Sequence, residues 1–245
     1  MRRTSESASH VIAKRGMGIV TACHPNVARA KALTIHCLLL DAYGEPAWHL
    51  HADPVSQIVS TILSQSTTDA NRDTAYRRLR ERFPTWEAVR RAPVEEVEEA
   101  IRPAGLSAQR SPRIQAALNQ IAGERGELSL DFLKEMSVAE ATTWLTRIRG
   151  VGPKTAAIVL LFSLGMPAFP VDTHVHRVSR RLGLAPANAT APRTQQIIEA
   201  LMPAETYYAL HLNLIAHGRR VCKSQRPLCE TCFLRPLCDD YQRRH

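Results

Sequence analysis

The chain has 245 residues, 44% of them hydrophobic and only 5% aromatic, with a formal net charge of +9. That length allows one large domain or two small ones around a real core, and few aromatics with abundant Ala, Leu, Ile and Arg favour an all-α chain over a β fold. No apolar run approaches the roughly 20 residues that span a bilayer, which argues against a membrane partner, while the positive balance points to a polyanion, most simply nucleic acid.

Residues 1–24 are polar, basic and irregular, and a flexible N-terminal extension is expected there. Arg2 and Arg3 precede a polar stretch instead of the apolar core of a signal peptide. A cytoplasmic, nucleoid-associated location follows as an expectation, and in that reducing setting the six cysteines are not read as disulfides. Cys23 and Cys37 lack metal-like spacing and read as free thiols, Cys37 within a core.

Helical spacing predicts a first helix over 26–40. Asp53-Pro54 opens a second, with Val55, Ile58, Val59, Ile62 and Leu63 as its buried stripe. It ends at the polar cluster Ser64-Gln65-Ser66. A third runs from Asp69 to Arg82, with Tyr76 and Leu79 inward and its arginines a solvated face. Short helices follow from Thr85 and Pro93. Ala104-Gly105-Leu106-Ser107 reads as a loop, and Ser111-Pro112 as the cap of a helix to about Gly123. Ser137-Val138-Ala139-Glu140 is a capping box that starts the next helix.

That helix leads into the stretch around which the chain is organised, LTRIRGVGPKTAAIVLLFSLGMPAFPVD, residues 145–172. Gly150-Val151-Gly152 is a tight turn, and Pro153 restarts a helix where its missing N–H costs nothing. This is a helix–hairpin–helix, whose free N–H groups suit a phosphate. A plain packing unit is the bland alternative, but it leaves Lys154 unexplained. A cation placed where a helix N-terminus and an apolar neighbourhood both disfavour charge is a candidate amine nucleophile. Asp172 is the natural second group and equally an ordinary N-cap. Helices are then expected to Gly183, over 192–202, and over 205–217 as the last, with Gly218 behind it. His174, His211 and His217 read as packing or capping residues.

The tail carries Cys222, Cys229, Cys232 and Cys238 in the spacing C-x6-C-x2-C-x5-C, a tetrathiolate metal site. Zinc usually shows two close cysteine pairs, whereas uneven spacing also suits a cubane cluster in which each iron takes one cysteine. Spacing leaves both open. Arg219, Arg220, Lys223 and Arg226 surround the first ligand and could present cations to phosphates.

Taken together, the Gly150–Thr155 hairpin, the segment Pro170-Val171-Asp172-Thr173-His174 and the four cysteines, in that order, resemble the endonuclease III family of DNA glycosylases, from about residue 25 to the C-terminus. The resemblance implies two helical domains flanking a DNA cleft: a six-helix barrel over 46–166 that carries the hairpin, and a cluster domain made of 25–45 and 167–245. It implies a [4Fe-4S] cluster on the four cysteines, Lys154 as nucleophile and Asp172 as the essential carboxylate. Gln65 would fill the gap left by an extruded nucleotide, Leu106 would intercalate, and Gly150, Gly152, Arg219 and Lys223 would contact the DNA backbone. The implied activity is a bifunctional glycosylase and abasic-site lyase acting on oxidised pyrimidines in damaged double-stranded DNA, as a monomer. Arg149 departs from the family's usual proline, and 123–137 is longer than in its shortest members. Rival readings are a monofunctional glycosylase and a non-catalytic DNA-binding module.

Overall fold

The computed structural model describes residues 25–47 and 53–244; the N-terminal extension and Cys23 lie outside them. The described residues are all-α and contain no strand. In chain order the helices are α1 Pro25–Tyr43, α2 Pro54–Ser64, α3 Asp69–Arg82, α4 Trp86–Arg91, α5 Val94–Ile101, α6 Ser107–Arg125, α7 Val138–Thr146, α8 Pro153–Ile158, α9 Thr173–Leu182, α10 Ala191–Leu201, α11 Tyr207–Arg220 and α12 Asp239–Arg244.

Two apolar cores organise them. The first gathers α2 to α8 around Val55, Ile58, Ile62, Leu79, Ile101, Ile114 and Leu118. The second joins α1 to α9, α10, α11 and the tail around Ile35, Leu39, Phe169, Val175, Val178 and Leu214. Between them α8 continues as a π-helical segment, Val159–Ser163. Its extra residue per turn shares one short element between both neighbours: Val159 and Leu160 face the first core, Leu161 and Phe162 the second.

Local rules account for most boundaries. Asp53 caps α2 by accepting from the N–H groups of Val55 and Ser56 at 3.0 and 3.1 Å. Ser137 and Glu140 form the reciprocal capping box of α7. Other expectations are corrected. The helix expected to begin at Ser111-Pro112 begins at Ser107, with Pro112 inside it and Ser111 fully buried. The buried Arg110 side chain bonds back to the carbonyls of Ala104 and Gly105 and so fixes an earlier start. Cys37 is exposed, not core, because the buried stripe of α1 is Ala32, Ile35, His36 and Leu39. Gly218 lies within α11, where a Cβ would come within 3.0 Å of the His174 side chain on α9; glycine is there for close helix packing. A further helix, α12, follows the cysteines.

Candidate active site

The hairpin is built by backbone geometry. After α7 the chain tightens through Ile148 N–H to Leu145 O and Val151 N–H to Ile148 O, at 3.1 and 2.9 Å. Gly150 has φ +94°, a left-handed conformation that favours glycine. Gly152 is different: it is extended, with open space where a Cβ would stand, so nothing within the chain demands glycine there. A bare backbone at an open position suits the close approach of an external group. Gly152 also gives α8 no capping side chain, which leaves the first-turn N–H groups to a ligand. Lys154 occupies this first turn and is exposed. The buried neighbourhood expected around its ammonium is therefore not found, because the apolar run that follows turns inward only from Thr155.

Lys154 and Asp172 line the same cleft, of about 320 Å³, between α2, the start of α3, α9 and α11. Asp172 is the N-cap of α9, its Oδ1 accepting from Val175 N–H at 2.7 Å. Its location is thus set by α9, while that of Lys154 is set by α8, and the cleft lies where the two cores meet. At the rim Arg219 pairs with Asp69 at 3.2 Å, joining α11 to α3. Both side chains are exposed, so the pair contributes little to stability.

His211, read from sequence as a packing residue, also lines this cleft and is almost wholly buried. Its Nδ1 lies 2.9 Å from the Pro170 carbonyl. A carbonyl only accepts, so Nδ1 carries the proton and Nε2 is bare. Burial pushes the imidazole down to about 4, opposed by the Asp172 charge and the Pro170 carbonyl and reinforced by Lys154. The folded value lies below the ordinary 6.5, so the unfolded chain binds the extra proton between pH 6.5 and about 4. Stability is therefore complete above 6.5 and falls as the pH drops through that window. Thermal melts over this range are expected to fall more steeply for the native chain than for His211→Gln.

Gln65 and Leu106 stand on two loops, the first of them beside the hairpin. Gln65 Nε2 donates to the Gly150 carbonyl at 3.3 Å. Leu106 is 56% exposed, unusual for a large apolar side chain, and has φ 49°.

The four tail cysteines line one pocket with His217, Arg181 and Arg244. Burial above all pushes the thiols of Cys232 and Cys238 up, opposed by hydrogen bonds from backbone N–H groups and reinforced by neighbouring groups, the Cys222 sulfur among them. Four sulfur donors gathered in one pocket are the donor set that a tetrathiolate metal group would use. Among the described residues no three His, Cys, Asp or Glu side chains form a group for a single metal ion. Polar side chains approach the sulfurs: Arg181 Nη1 donates to Cys222 Sγ at 3.4 Å, and His217 Nε2 lies 3.6 Å from Cys232 Sγ. Two arginines missed from sequence hold the loop to α9. Arg177 donates to Cys222 O and Gly218 O at 3.0 and 2.9 Å, and Arg181 to Lys223 O and Ser224 O at 2.7 and 3.0 Å. The side chain of Lys223 stays exposed. Four-residue spacing on α9 was their only signal, and it is also the spacing of a solvated face.

Comparison with known proteins matches residues 59–204 to the HhH-GPD superfamily base excision DNA repair protein family. Endonuclease III of Thermotoga maritima is 36% identical over 199 residues, 81% of this chain and 89% of that protein. Two solved structures are similar over 88% of this chain at 28% identity. One is a non-covalent endonuclease III–DNA complex, with a TM-score of 0.76 and 97% of that chain covered. The other is a trapped endonuclease III–DNA covalent intermediate, with a TM-score of 0.74 and 98% covered.

Proposed function

Because the chain belongs to the HhH-GPD superfamily, and within it to the endonuclease III family, it is a DNA N-glycosylase of base excision repair, and we propose that it is bifunctional, removing oxidised pyrimidines and cleaving the abasic site through a lysine Schiff base. The observation that carries this reading is the meeting of Lys154 and Asp172 in one cleft beside an uncapped hairpin.

The damaged nucleotide leaves the stack and enters the cleft. Gln65 and Leu106 occupy the vacated space and prop the bent duplex. Gly150 and Gly152 let the hairpin backbone reach a phosphate, which anchors without reading sequence, and Arg219 and Lys223 add backbone contacts. The neutral amine of Lys154 attacks the sugar C1′; the C1′–N bond breaks and its electron pair leaves with the base. Asp172 accepts the amine proton and offsets the positive charge that develops on the sugar. The C1′–O4′ bond of this adduct then breaks, O4′ taking the proton held by Asp172, and the resulting iminium acidifies the C2′ hydrogens. Loss of one of them expels the 3′ phosphate by β-elimination.

The pocket of Cys222, Cys229, Cys232 and Cys238 fits a [4Fe-4S] cluster, since each iron takes its own cysteine and no shared focus is needed. When bound, the cluster supplies a rigid crosslink for the basic loop. The chain's own part is the pair of arginines on α9 that tie this loop to the helix carrying Asp172. In this reading the domains are a barrel over 46–166 and a cluster domain of 25–45 with 167–245, and the protein works as a monomer on damaged double-stranded DNA at the nucleoid. None of the described helices is long and apolar enough to cross a membrane.

Borohydride trapping on duplex DNA carrying thymine glycol tests the reading. A covalent protein–DNA adduct is expected. Base release without any adduct would instead place the chain among monofunctional glycosylases.

A further inference from the structure

Arg110 is 2% exposed, yet it faces no carboxylate among the described residues. Its guanidinium donates to three backbone carbonyls: Nη1 to Ala104 and Gly105, and Nη2 to Gln65. A buried cation without a counterion is costly, and a leucine or methionine would fill the same volume without that cost. What the charge gives is a connection. The carbonyls belong to two loops about 40 residues apart in sequence, one bearing Gln65 and the other Leu106.

The positions of the grips are informative. The residue after the Gln65 carbonyl is Ser66, with φ 53°; the residue after the Gly105 carbonyl is Leu106, with φ 49°. Each is a non-glycine residue in the left-handed region, a conformation that persists only where its surroundings impose it. Arg110 therefore fixes the peptide planes that aim both loops. Farther out the loops part across an open groove, with Ser66, Thr68 and Asn71 on one wall and Arg102 and Gly105 on the other. Among the described residues, the hydrogen bond that links them runs through Arg110.

We propose that Arg110 is a positioning residue that joins the Gln65 and Leu106 loops into one rigid unit, so that both side chains enter the duplex together and hold the nucleotide extruded. This rests on the reading of those two side chains as wedges.

The test uses thymine-glycol duplex with 2-aminopurine beside the lesion, whose fluorescence reports unstacking on binding. Arg110→Met is expected to lower both the fluorescence rise and base release, the latter by between about tenfold and about 100-fold. The loss is smaller on an abasic site, where no base has to be unstacked. Gln65→Ala and Leu106→Ala are expected to be less than additive in the parent, since either disables the unit, and additive in the Arg110→Met background. A folded Arg110→Met chain with the parent's fluorescence rise and the parent's non-additivity would overturn the proposal. If that variant does not melt cooperatively, Arg110→Lys replaces it, because a single ammonium cannot span both loops. Should Gln65→Ala and Leu106→Ala each match the parent in fluorescence and rate, the wedge reading itself falls, and the coupling with it. The fluorescence needs no chemistry, so it decides the point even if thymine glycol is not cleaved.

Discussion

Lys154→Ala is expected to abolish the borohydride-trapped adduct and to lower base release by about 10³-fold or more, the scale on which covalent catalysis fails without its nucleophile. The chain itself should hardly notice. Lys154 is exposed and makes no hydrogen bond or ion pair among the described residues, so alanine removes no packing. It also removes a cation from a helix N-terminus, which is expected to stabilise the fold by about 0.3–1 kcal/mol. The signature is an inactive protein that melts no lower than the parent. Its affinity for lesion DNA should stay close to the parent's, since the hairpin backbone is untouched. Undiminished base release by Lys154→Ala would assign the chemistry to an activated water and sink the Schiff-base reading.

Asp172 carries two duties, and two substitutions separate them. Its Oδ1 caps α9 at 2.7 Å from Val175 N–H, and in the proposed reaction its charge takes up a proton. Asparagine caps a helix about as well as aspartate but neither accepts a proton nor carries charge. Asp172→Asn should therefore melt close to the parent while base release falls about 10²- to 10⁴-fold. Asp172→Ala should lose the same activity and also about 1 kcal/mol of stability with the cap. The measurement is a melting curve beside a single-turnover rate for each variant. Equal rates for the asparagine variant and the parent would reduce Asp172 to a cap.

What the sequence disclosed follows from how local each cause is. The stripe of α2, its Asp53 cap and the capping box at Ser137 depend on residues within one or two turns, so spacing alone reveals them. The hairpin and the cysteine spacing are equally local. The start of α6 differs because Ser111-Pro112 obeys a local capping rule that Arg110 overrides, bonding back to the carbonyls of Ala104 and Gly105 and across to that of Gln65 on a separate loop. The π-helical stretch Val159–Ser163 was hidden because an unbroken apolar run has no period to betray its pitch. His211 is the satisfied packing residue the sequence suggests, but its tautomer was not legible, being set by the carbonyl of Pro170, 41 residues earlier. The presence of Lys154 and Asp172 was legible, whereas the open surroundings of the lysine depend on which side of α8 the cores cover.

The second core has a consequence for how the chain is made. It closes α1 against α11, through Tyr43 O–H to His217 Nδ1 at 3.0 Å and Asn213 Nδ2 to Gly44 O at 3.0 Å, across 174 and 169 residues of sequence. The first core, by contrast, is drawn wholly from Val55 to Ala168. On the ribosome the first core can close while α1, synthesised before it, still trails with Ile35 and Leu39 uncovered. At about 5–20 residues per second, that wait is on the order of ten to a few tens of seconds. During that wait α1 is open to aggregation and to chaperone capture. Docking of α1 is among the last events of folding, and it sets the moment when the cysteine loop gains a finished wall to rest on.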